Sequence, residues 1–181
     1  MIIKNTSYSG ERYIGVKEID FVKKYIETIY QTTNSWLPLS KREELYEDKK
    51  GGVIINGLKL EIADHNEAKV LDQLVIIDRY YADNGMTFQF QSVLLHECVH
   101  IQDQALRLSV TNDMNQYYGF SMFSELVAFG CQQLDEEVEI TEDVIYLIMD
   151  YIEKYYPRLG TKYNIVSELD TLYNTFSVIE K

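Results

Sequence analysis

Residues 53–78 interrupt a chain that otherwise repeats its apolar positions at intervals of three and four, and this interruption most limits the available folds. Val53-Ile54-Ile55 is an apolar run, Asn56-Gly57 supplies the two positive-φ residues of a type I′ turn, and Leu58-Lys59-Leu60-Glu61-Ile62 alternates. Two antiparallel strands are expected there, with Leu74-Val75-Ile76-Ile77-Asp78 as a third, more buried strand. Asp83-Asn84-Gly85 closes the segment with turn chemistry. On either side the spacing is helical. Val22, Ile26, Ile29 and Tyr30 form one stripe of a helix over residues 16–33. Further helices are expected over 88–108, from Met114 or Tyr117 to Glu136, from a Thr141 cap to Pro157, and over 164–176. Helix, small sheet, then helices predicts an α+β fold with a small antiparallel three-stranded sheet.

With 181 residues, no internal repeat and no Pro/Gly/Ser linker, a single domain over 1–181 is expected. Asp and Glu number 29 against 17 Lys and Arg, a net charge of −12, so there is no basic face for nucleic acid. The mixed-charge block 41–50 reads as a solvated helix or loop. Apolar runs are too short to span a membrane and no signal peptide is readable, which predicts a cytoplasmic protein. Cys98 and Cys131 are too few for a disulfide framework and read as packed thiols.

The chemistry lies in His96-Glu97-Cys98-Val99-His100. On a helix, residues four apart stand one above the other, so both imidazoles face the same way and can hold one Zn²⁺ at two corners. The carboxylate of Glu97 can then reach a water at an open corner as general base. Two of only three histidines are spent here. The remaining one, His65, sits in the polar Asp64-His65-Asn66 and reads as a surface loop residue. Glu125 is the better third ligand. It is a lone carboxylate among Phe123, Leu126, Val127 and Phe129, and burying it requires a partner such as a metal ion.

His96-Glu97-x-x-His100 followed by Glu125-x-x-Ala128 resembles the gluzincin class of zinc metallopeptidases, and the E-x-x-A form is similar to that of ImmA/IrrE-like and other small bacterial and phage-type peptidases. The resemblance covers residues 74–133. It implies a zincin-like active-site helix, with His96, His100 and Glu125 as zinc ligands and Glu97 as the base that takes a proton from water and returns it to the leaving amine. Ala128 would let the two ligand helices approach. By analogy with thermolysin-like enzymes, a tyrosine between the ligand segments stabilises the oxyanion, and Tyr118, seven residues before Glu125, would lie on the ligand face of a continuous helix. The chain departs from the thermolysin-like form at Phe129, where that form has an aspartate bonded to a ligand histidine; Asp103, one turn beyond His100, is a candidate for that role. Glu168, in a second Ser-Glu-Leu, ranks below Glu125 because Thr171 stands where the alanine would be.

The expected activity is zinc-dependent hydrolysis of peptide bonds in a protein or peptide substrate, which could add as a strand to a sheet edge near residues 74–78. The competing expectation is a zinc-stabilised protein-binding or regulatory module without catalysis.

Overall fold

The computed structural model describes residues 7–47, 54–55, 58–63, 69–71, 74–82, 88–110, 122–157 and 162–179. Helix α1 (Val16–Trp36) buries Ile19, Val22, Tyr25, Ile26, Ile29 and Thr33 along one stripe, as its apolar spacing requires. It runs one turn beyond the expected Thr33 and stops at Leu37, ahead of Pro38, which cannot continue the backbone ladder. Helix α2 (Leu39–Glu47) follows. Next come β1 (Ile54–Ile55), β2 (Leu58–Ala63), β3 (Lys69–Leu71) and β4 (Leu74–Asp78), then the short α3 (Arg79–Ala82). The remaining helices are α4 (Phe88–Val110), α5 (Met122–Asp135), α6 (Glu142–Tyr155) and α7 (Lys162–Ile179).

The expected α+β fold on an antiparallel three-stranded sheet is corrected on two counts. Helices build the core: among the described residues the hydrophobic cluster draws on α1, α4, α5, α6 and α7 and on no strand. The small sheet beside it has four strands in the order β1-β2-β4-β3 and is mixed, with β2 parallel to β4. β1 and β2 pair antiparallel with Ile55 opposite Leu58, as a two-residue hairpin connection requires, although Asn56-Gly57 itself lies outside the described residues. β3 has only three residues, too few to show an alternation, yet it pairs antiparallel with β4, Val70 facing Val75. β2 flanks β4 along its whole length and β3 flanks it over residues 74–76, so the sheet edge expected there is occupied at those residues.

Helix α5 is the centre of the molecule. Residues 122–133 are all buried, which needs neighbours on every side of the helix, and α1, α4, α6 and α7 supply them. Gly130 lets α1 pack tightly on α5, since a Cβ there would stand 2.8 Å from Ile26 Cδ1. The far flank of α4 meets β3 and β4, where Val75 and Ile77 are buried. Helix α6 begins as expected at Thr141, whose hydroxyl accepts from the Val144 N–H at 3.2 Å, and it ends before Pro157. The solvated block 41–50 needs correction. Arg42 within it is only 2% exposed, because its guanidinium bonds Asp135 at 3.0 Å, Asn34 at 3.1 Å and the Leu37 carbonyl at 3.1 Å. Among the described residues no helix is long and apolar enough to cross a membrane.

Candidate metal centre

Helices α4 and α5 pack side by side and bring together the three expected ligands. Four-residue spacing places the His96 and His100 rings on one face of α4, with centroids 5.0 Å apart. Glu125, from the first turn of α5, bridges them. Its Oε2 lies 2.9 Å from His96 Nε2 and its Oε1 lies 3.0 Å from His100 Nε2. One donor atom from each residue falls within 4.8 Å of the others, and all three residues are 6–8% exposed.

The far side of each ring settles which nitrogen carries the hydrogen. His96 Nδ1 stands 2.7 Å from the amide oxygen of Gln132, whose NH₂ group donates to Ser92 Oγ at 2.6 Å. An amide oxygen only accepts, so Nδ1 donates. His100 Nδ1 stands 2.8 Å from Ser124 Oγ, whose hydroxyl hydrogen is committed to Asp103 Oδ2 at 3.1 Å, so Nδ1 donates here as well. Both Nε2 lone pairs therefore face a carboxylate, and three acceptors converge on one buried point. Only a cation reconciles them. A proton does so on His96: burial opposes the imidazolium, but the charge and hydrogen bond of Glu125 outweigh burial and lift the His96 pKa to about 9. Burial pushes the Glu125 carboxyl up, but the two histidines more than offset this and hold it far below the usual carboxylate range. A divalent metal satisfies all three donors at once, and two imidazole nitrogens with one carboxylate oxygen form a donor set suited to zinc.

Glu97 is not one of the three converging donors. Its Oε2 is buried and has no hydrogen-bond partner among the described residues, and burial raises its pKa against the opposing pull of His96 and His100. A buried carboxylate with one unpaired oxygen, coupled to the charges of His96, His100 and Glu125, fits a group that handles a proton.

Phe129, where the resemblance implies an aspartate, packs edge-on against the His96 ring, with centroids 4.7 Å apart. The hydrogen bond that this aspartate would make comes instead from Gln132, and Asp103 reaches His100 only through Ser124. Reasoning from sequence missed Gln132, Ser124 and Ser92. A usable signal was present: His96, His100, Asp103 and Arg107 recur at four, three and four, a polar stripe on one face of α4, and Gln132 lies two turns beyond Glu125 on the same face of α5. Glu168 is not among the ligands; it pairs with Arg107 Nη1 at 2.7 Å. Cys98 and Cys131 are fully buried free thiols whose pKa values burial pushes up. Tyr118 and His65 lie outside the described residues. Comparison with family models, curated proteins and solved structures finds no match for this chain.

Proposed function

We propose that the protein is a zinc-dependent metallopeptidase in which His96, His100 and Glu125 hold the metal and Glu97 is the general base. The observation that carries this reading is the convergence of two imidazole Nε2 lone pairs and a carboxylate on one buried point, beside a second carboxylate, Glu97, whose buried Oε2 has no partner among the described residues. Three protein ligands leave a coordination position open for water or substrate. Zinc, when bound, acidifies water and polarises a peptide carbonyl. Glu97 accepts a proton from water at Oε2 and passes it to the departing amine nitrogen, a task favoured by a buried carboxyl whose pKa burial raises. The acidic balance of the chain favours neutral or basic peptides as substrates.

The test is Glu97→Gln. The variant is expected to bind one zinc as the wild type does while peptide hydrolysis falls by about 10²–10⁴-fold. Unchanged turnover of the zinc-loaded variant removes Glu97 as the base. The near-complete burial of the three donors favours a second reading, a zinc-stabilised protein-binding module. A zinc-loaded wild type that cleaves nothing in a diverse peptide library, yet loses stability on chelation, selects that reading.

A further inference from the structure

We infer that Ser124 and Asp103 form a positioning relay that keeps the His100 proton on Nδ1 and so reserves Nε2 as a donor atom for the cation; this inference rests on the metal-site reading above. The geometry is a chain of committed hydrogens. Asp103 is 2% exposed and accepts from three helices. The Tyr25 hydroxyl of α1 donates to Oδ1, as does Arg107 Nε of α4 at 3.1 Å, while Ser124 Oγ of α5 donates to Oδ2 at 3.1 Å. Arg107 Nη2 adds an ion pair at 3.1 Å, and Glu168 of α7 holds Arg107 Nη1 at 2.7 Å. With its hydrogen taken by Asp103, Ser124 offers His100 only a lone pair, and the ring must present Nδ1–H. His96 obtains the same tautomer from a neutral amide, Gln132. The two ligand histidines are thus oriented by chemically different devices, and among the described residues the one at His100 is tied through Asp103 to α1 and α4.

The relay has a polarity, and this separates it from ordinary structural bonding. Asp103→Asn preserves shape but turns one acceptor into an NH₂ donor. Tyr25 and Arg107 Nε hold the amide oxygen at the Oδ1 position, which leaves the NH₂ group facing Ser124. The serine hydrogen loses its acceptor and turns toward His100 Nδ1. This favours the Nε2–H tautomer, which must give up its proton before it can bind a cation. Ser124→Ala, by contrast, removes the Ser124 acceptor from Nδ1 but imposes no wrong tautomer.

The experiment is zinc affinity by chelator competition for the folded wild type, Ser124→Ala and Asp103→Asn, with the thermal midpoint of each metal-free protein measured in parallel. Ser124→Ala is expected to bind zinc about tenfold more weakly, and Asp103→Asn to approach about a hundredfold, the range over which partners of metal-bound histidines act. A merely structural role would lower the midpoints and leave the affinity of the folded fraction unchanged. If Asp103→Asn fails to fold, Ser124→Ala decides, because Asp103 then keeps Tyr25 and Arg107. Wild-type affinity in the folded variants overturns the relay and leaves the proposed function standing. A wild type that binds no zinc overturns both.

Discussion

At the scale of single residues, the candidate centre is governed by which atoms can donate. His96, His100 and Glu125 each bring a lone pair to the same point, and their pKa directions record the conflict: the imidazole of His96 is driven up to about 9 and the carboxyl of Glu125 is driven down. Glu125 and Glu168 both sit in Ser-Glu-Leu triplets, yet only Glu125 touches the histidines, whereas Glu168 faces Arg107. Glu125→Ala is therefore expected to weaken zinc binding sharply by removing the one charged ligand, and Glu168→Ala to leave it at the wild-type level. Chelator competition on both variants checks the assignment, and equal affinities would move the third ligand elsewhere. The grouping of these three side chains was legible in the sequence, because four-residue spacing on a helix and a lone carboxylate in an apolar run are local signals. The residues that orient them were less so, since Ser124, Gln132 and Asp103 acquire meaning only when α4 and α5 lie side by side.

At the scale of elements, ends and lengths decide what can be read. Helix α6 announces itself through Thr141 at one end and Pro157 at the other, and the structure places it between them. β3 has no such punctuation; it reverses the chain between β2 and β4, so β4 runs parallel to β2 and the expected antiparallel sheet is mixed. The end of α5 holds a locally strained position. Glu137 has φ 64°, its N–H bonds the Leu134 carbonyl at 2.9 Å, and the Val138 N–H bonds the Gln133 carbonyl at 2.9 Å. This is the hydrogen-bond pattern of a helix closed by a left-handed residue, a place where glycine is the usual occupant. Glu137→Gly is expected to stabilise the protein by about 1 kcal/mol, raising the thermal midpoint by about 2–4 °C. A lowered midpoint in a thermal melt would show that the Glu137 side chain contributes more than its backbone costs.

At the scale of the whole molecule, the chain is held by buried polar ties as well as by its apolar core. Tyr30 of α1 donates to Asp135 of α5 at 2.9 Å, and the same carboxylate receives Arg42 of α2. Burial, with the nearby charge of Asp135, raises the Tyr30 pKa to about 12, and Tyr25, buried and donating to Asp103, is raised as well. A phenol whose folded pKa lies above its unfolded value of about 10 binds more protons in the folded state. Its stabilisation is present in full below pH 10 and is lost as pH rises through 12. Stability is therefore expected to fall across this window, and Tyr30→Phe to show a shallower fall, as denaturant titrations at pH 9 and above would reveal; identical slopes would exclude Tyr30 as a contributor. The sequence by itself determined the periodic helices, the hairpin at residues 54–63 and the three donors of the candidate site, because each is written in short-range spacing. Tertiary structure alone decided that Arg42 is buried, that β4 is central and that α5 is enclosed on every side. It also decided that Asp103 serves His100 through Ser124. Each of these depends on residues distant in the chain meeting at one place, where desolvation forces every polar atom to find a partner.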